Sequence, residues 1–231
     1  MSDSLPIVFV PGLFCTARLF ADQIGPLWKF GSITIADHSR DDTMAAMAQR
    51  ILAASPPRFA LVGLSMGGYV AFEIWRQASD RVAKLALLDT TARPDTPEQT
   101  KVRNDQIAQA EAGKFAAIVD KALPMLIHRQ GDQGLRAVVK QMAADTGEDA
   151  FIRQQRAIVG RADSRPDLAK ILCPTLVLVG AEDKLIPPDR SREMADGIAG
   201  AKMVTVDACG HISSLEQPAK VTEALVDWMS N

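Results

Sequence analysis

The sequence predicts an α/β protein with a mostly parallel sheet and helices on both faces. Two patterns carry that prediction. Short apolar, β-rich runs alternate with helical stretches up to residue 88 and again from residue 166 onward. Between the two alternating parts, residues 97–162 show no strand pattern at all. The length, 231 residues, fits one large α/β domain with a sizeable core.

Taken in order, the first half reads strand 7–10, helix 16–28, strand 33–36, helix 43–54, strand 59–63, helix 66–78 and strand 83–88. Pro56-Pro57 marks a turn, and Pro94 and Pro97 bracket a change in character. Residues 97–162 are rich in Ala and Gln, with charges at helical spacing, and read as three or four short helices forming a lid. The pattern then resumes with helix 166–171, strand 175–179, helix 188–198, strand 202–206 and helix 214–229. The expected organisation is a core of residues 1–93 and 163–231, with a helical cap of residues 94–162 inserted in it.

Residues 63–68 read Gly-Leu-Ser-Met-Gly-Gly, between an apolar run and a helical stretch. A serine hydroxyl is best presented to a substrate from a sharp strand-to-helix turn. Such a turn strains the backbone at the serine and leaves room only for glycine two residues before and two after. Ser65 is therefore the candidate nucleophile. The helix that follows aims its free amides at the same place, and the Met66 N–H is a candidate oxyanion donor.

A serine at its ordinary pKa needs a base. The chain has three histidines. His38 sits among Asp37, Ser39, Arg40, Asp41 and Asp42 and reads as part of a solvated loop. His128 falls in a helical region. His211 follows the apolar alternation 203–206 on a loop at a strand end, the setting a movable base requires. The base needs a carboxylate to fix its tautomer. Asp183 leads, on the loop after 175–179 (TLVLV), where Gly180 breaks the strand; Asp89, at the end of 85–88 (LALL), is the runner-up. Glu182 is expected to point elsewhere. The order Ser65, Asp183, His211 is one of the three chain orders known for serine hydrolases. A second oxyanion donor is expected near the N-terminus. Pro11-Gly12-Leu13-Phe14-Cys15 follows strand 7–10, and a glycine there lets the loop fold back over the sheet edge, bringing in the Leu13 N–H.

These residues resemble the α/β-hydrolase superfamily across almost the whole chain. VFVPGLF at 8–14, GLSMGG at 63–68, LVLVGAEDKLIPP at 176–188 and GHISSLEQP at 210–218 stand in that family's order and rough spacing. The resemblance implies a mostly parallel sheet with a helical cap inserted late in the core. GLSMGG and the histidine block look like those of small carboxylesterases and enol-lactonases. Glu216 and Pro218 look like the family's helix start behind the histidine loop. One departure stands out: many members have His-Gly in the first block, where this chain has Pro11-Gly12. The change keeps the backbone donor and removes a histidine that helps order the loop. A serine nucleophile argues against haloalkane dehalogenase and epoxide hydrolase chemistry, which in this superfamily runs through a carboxylate ester.

The expected activity is hydrolysis of a small, mostly uncharged carboxylic ester, thioester or lactone through an acyl-enzyme, with no cofactor and no metal. Carbon–carbon bond hydrolysis or peracid formation on the same three residues is the alternative, and a ligand receptor with little turnover is the reading from another class. Among lid residues, Leu123, Met125, Leu126 and Ile127 are candidates to line the pocket, although residues at helical spacing are more often lid core. A net charge of −2 predicts neither nucleic acid nor an anionic membrane as partner. No apolar run reaches the length of a membrane span, and residues 1–5 are too polar for a signal peptide. Cys15, Cys173 and Cys209 show no metal spacing and fit a reducing cytoplasm. The sequence carries no signal for oligomeric state.

Overall fold

The computed structural model describes residues 4–231. The first three residues of the polar stretch 1–5 lie outside the described residues. Six strands form a single sheet: β1 (Ile7–Val10), β2 (Ile33–Ile35), β3 (Phe59–Leu64), β4 (Val82–Leu88), β5 (Thr175–Gly180) and β6 (Lys202–Val206). Their spatial order is β2-β1-β3-β4-β5-β6, and every neighbouring pair is parallel. Parallel strands need crossover connections, and helices supply them here. Among these are α1 (Ala21–Leu27), α2 (Met44–Ala54), α3 (Met66–Ala78) and α8 (Pro188–Gly197), while α9 (Ser213–Glu216) and α10 (Pro218–Ser230) follow β6.

Successive side chains of a strand face opposite sides of the sheet, and two cores result. Ile7 and Phe9 of β1 pack with α1 and α10 residues such as Leu27, Val221 and Leu225. Val8 and Val10 pack with α2 and α3 residues such as Met47, Val70 and Ile74. Between β4 and β5 the chain forms α4 (Pro97–Glu111), α5 (Phe115–Leu126), α6 (Gln133–Thr146) and α7 (Glu148–Val159). Thr96 starts α4 with a reciprocal cap: its hydroxyl accepts from the Gln99 amide while the Gln99 side chain accepts from the Thr96 amide.

Several expected elements differ in kind or extent. The helix expected at 16–28 is a 3-10 turn (Ala17–Phe20), the single α-helix α1 and a second 3-10 turn (Trp28–Phe30). Its sequence holds Gly25 and Pro26, and both weaken a continuous helix. The stretch 166–171 is a 3-10 turn (Arg165–Lys170) rather than an α-helix. The helix expected at 214–229 is split at Gln217, because Pro218 cannot donate the hydrogen bond that would join α9 to α10. The helices α4 to α7 each run 12 to 15 residues, longer than the short pieces expected.

The strand order sets where a site can form. The chain moves outward from β1 to β2, then returns across β1 to β3 and continues the other way. The loops leaving β1 and β3 therefore diverge to opposite faces and leave a crevice at the carboxyl ends of these strands.

Candidate active site

Ser65 is the single residue between β3 and α3, with φ 55° and ψ −117°. That left-handed backbone is strained for any residue carrying a Cβ. It is held by hydrogen bonds on both sides. The Ser65 amide donates to the Leu88 carbonyl (2.9 Å), and the Ser65 carbonyl accepts from the Thr90 hydroxyl (2.7 Å). The flanking glycines are needed for the steric reason read from the sequence. A Cβ on Gly67 would overlap the Val10 carbonyl, and one on Gly63 would overlap the Gly67 carbonyl.

The structure brings Ser65, His211 and Asp183 together in a line. The Ser65 Oγ lies 2.8 Å from His211 Nε2, and His211 Nδ1 lies 2.8 Å from Asp183 Oδ2. With Nδ1–H donating to Asp183, the other ring nitrogen, Nε2, is left as the acceptor facing the Ser65 hydroxyl. The other carboxylate oxygen of Asp183 accepts from the amides of Leu185 and Ile186, each at 2.9 Å. Both the imidazole and the acid are buried. Burial alone would lower the His211 pKa. The charge of Asp183, its hydrogen bond and the nearby charge of Asp89 outweigh that and hold it above its ordinary 6.5.

Asp89 does not reach the imidazole. It is fully buried at the end of β4 and accepts from the Gly180 amide and from the amide and hydroxyl of Ser213. It thus ties β4 to the end of β5 and to the start of α9, just after His211. Burial, reinforced by the charge of Asp183, pushes its carboxyl up to about 7. Glu182 accepts from the Cys209 amide (2.8 Å), and buried Glu216 accepts from the amides of Gly210, His128 and Arg129. These two carboxylates fix the His211 loop by its backbone. His128 contributes an amide there. Burial keeps the Cys15 and Cys209 thiols protonated.

The β1 loop closes the other side. A Cβ on Gly12 would stand 3.4 Å from Ser65 Cβ, so this loop touches the serine directly. Among the described residues the Leu13 and Met66 amides have no hydrogen-bond partner. Leu13, Met66, Ser65 and His211 all line one cavity of about 470 Å³. Of the lid residues singled out, Leu126 lines this cavity; Leu123 and Ile127 are buried, and Met125 is exposed. Among the described residues no three His, Cys, Asp or Glu side chains gather as a metal site would require.

Two residues of this site escaped the sequence reading. His38, expected in a solvated loop, is 3 % exposed. Its Nε2–H donates to the Pro11 carbonyl (2.8 Å), and its Nδ1 faces the amide nitrogen of Gln154 (3.4 Å). The Gln154 side-chain oxygen in turn accepts from the Phe14 amide (3.0 Å). One imidazole and one carboxamide therefore hold both flanks of Leu13. Burial lowers the His38 pKa and keeps the ring neutral, as this pattern of one donor and one acceptor needs. The loop that lacks its own histidine after β1 takes one from the end of β2, the neighbouring strand. A buried glutamine inside the apolar stripe Phe151, Ala157, Ile158 of α7 was the one available signal for Gln154.

The chain belongs to the alpha/beta hydrolase family, whose sequence pattern it matches over residues 7–224. Solved structures agree. An esterase from Thermogutta terrifontis superposes with a TM-score of 0.88 at 29% identity, over 98% of this chain and 89% of that one. The enol-lactonase from Burkholderia xenovorans LB400 superposes with a TM-score of 0.89 at 26% identity, over 100% of this chain and 93% of that one. A Variovorax paradoxus protein provisionally named carbamate hydrolase RutD is 26% identical, over 99% of this chain and 93% of its own length. Among the described residues no helix is long and apolar enough to cross a membrane.

Proposed function

We propose that this protein is a serine esterase that cleaves a small carboxylic ester or lactone through an acyl-enzyme. The observation that carries the reading is the continuous Ser65–His211–Asp183 relay, with two 2.8 Å contacts, opening onto the cavity. Ser65 Oγ attacks the carbonyl carbon as His211 Nε2 takes its proton. Asp183 holds the imidazole in the tautomer that can accept and stabilises the imidazolium that forms. The carbonyl oxygen gains charge and is met by the free amides of Leu13 and Met66. His211 then returns the proton to the leaving alcohol, and the alcohol departs. Water, deprotonated by His211, attacks the acyl-enzyme and releases the acid and Ser65.

The helices of residues 94–162 act in this reading as a cap over the core of 1–93 and 163–231. Leu126 of α5 and Gln155 of α7 line the cavity together with Ser65 and help set the size of substrate it admits. The esterase and enol-lactonase names of the two similar structures support acyl–oxygen cleavage as the reaction.

Replacing Ser65 by Ala tests the reading. The variant is expected to keep its thermal unfolding midpoint and lose turnover of short p-nitrophenyl esters by about three orders of magnitude or more. Turnover at the parent rate in that variant would refute the proposal.

A further inference from the structure

We infer that the cavity holds a second recognition point, a guanidinium pair that takes a carboxylate on the substrate, so that the preferred ester is a singly charged anion. The inference rests on the esterase reading above and names the substrate class for it.

The observation is a charge imbalance behind the cavity wall. Asp95, in the connection from β4 to α4, is the acceptor for two arginines. Its Oδ2 lies 2.6 Å from Arg103 Nε, and its Oδ1 lies 2.8 Å from Arg161 Nη1. The Asp95 side chain is 2 % exposed, that of Arg161 6 % and that of Arg103 20 %. Two guanidiniums share one carboxylate, and one positive charge is left over in a poorly solvated place. Such a charge is costly unless an anion completes it.

The remaining charges of the wall do not supply that anion. Arg93 is matched by Glu193 through two 2.8 Å contacts, and Arg190 lies 3.3 Å from Asp189. Glu98 sits exposed on the first turn of α4, at the rim, where solvent screens it. The other bonds of the pair are to neutral groups: Arg103 Nη1 to the Gln155 side-chain oxygen, Arg161 Nε to the Arg93 carbonyl and Arg161 Nη1 to the Ile158 carbonyl. Among the described residues neither Nη2 has a partner, and neither is sealed away from solvent. Both side chains line the cavity.

The pair is also placed and held for this task. The Arg161 guanidinium lies 4.2 Å from the centre of the Tyr69 ring, over its face. Tyr69 is four residues after Ser65 on α3, about one helical turn away. The cation is therefore packed on the helix that follows Ser65, and both line the one cavity, so a single bound molecule can meet the two. A guanidinium fork fits a carboxylate by two parallel bonds. A phosphate monoester, with nearly two charges, exceeds the single charge left over. The ester this wall fits carries one carboxylate on its acyl chain, as the half-ester of a dicarboxylic acid does.

The test is equilibrium binding to the Ser65→Ala protein, which separates recognition from turnover. Two probes of equal length are compared at pH 8 by calorimetry: ethyl hydrogen adipate, an anion, and ethyl hexanoate, which is neutral. The anion is expected to bind about tenfold more tightly, the worth of one charged hydrogen bond. Arg103→Gln is expected to bring the ratio toward one. Asp95→Asn, which removes the internal counter-charge, is expected to raise it. Equal affinities for the two probes, or a preference unmoved by both substitutions, would overturn the inference. A folded protein that binds the anion selectively but shows no Ser65-dependent ester turnover would instead refute the esterase reading and leave the recognition point standing.

Discussion

At the residue scale, the proposed mechanism makes His211 the base, and its environment sets the pH at which that base is ready to act. The imidazole must be neutral to accept a proton. Its pKa lies above the ordinary 6.5 because the Asp183 charge and hydrogen bond outweigh burial. The acid limb of the kcat/KM profile is therefore expected to have its midpoint above 6.5. Replacing Asp183 by Asn is expected to move that midpoint down and to cost about three to four orders of magnitude in kcat. Ester hydrolysis measured from pH 5 to 9 checks both. The same shift links stability to pH. A histidine that binds its proton more tightly when folded stabilises the fold fully below 6.5, and that contribution is lost as pH rises through the folded value. Ser65, Asp183 and His211 were legible in the sequence because each is a reactive side chain beside a strand end. The sequence already put Asp183 ahead of Asp89, and the structure places Asp183, not Asp89, against His211 Nδ1. Both follow apolar strands, and only the fold shows that Asp89 spends its oxygens on Gly180 and Ser213.

At the element scale, α7 reaches across to the β1 loop. Gln154 accepts from Phe14, and Arg153, the residue before it, donates to the Ser39 carbonyl in the segment that carries His38 (2.9 Å). The helix α7 thus braces the loop carrying Leu13 from two directions. Gln154→Met keeps the volume and deletes both hydrogen bonds of the carboxamide. It is expected to lower kcat by about tenfold to a hundredfold, with KM little changed, since the Leu13 donor is used most when the oxyanion forms. Steady-state kinetics on a p-nitrophenyl ester, paired with a thermal melt, reads this out. A lowered melting point with parent kcat would mark Gln154 as packing alone. This contact was not legible beforehand. His38 stands in a run of charged and small polar residues that composition reads as solvent-exposed. Its burial follows from strand order, because β2 lies beside β1 in the sheet. Strand order is a long-range property that local periodicity does not encode.

At the scale of the whole molecule, the chain-reversal between β1 and β3 gathers loops from opposite ends of the sequence. The β1 loop, the β3–α3 turn, the β5 loop and the β6 loop meet at one sheet edge, and α4 to α7 come to lie against them. The fold was legible at this scale, since apolar runs and their spacing record a parallel sheet even where helix ends were misjudged. The helix broken before Pro218 shows the limit: periodicity persists through a proline that the hydrogen-bond ladder does not tolerate. The extra charge shared by Arg103, Arg161 and Asp95 was hidden for a related reason, because three residues spread over 95–161 meet only when helices α4 to α7 are packed together.

Ester cleavage by the proposed route requires an acidic residue, an imidazole and a hydroxyl to act as one unit. Fluorophosphonate labelling followed by peptide mass analysis tests that unit most directly. One adduct per chain, on the peptide containing Ser65, is expected for the parent protein, with labelling slowed by orders of magnitude in His211→Ala. An unmodified Ser65 in a folded protein, or labelling at the same rate without His211, would contradict it.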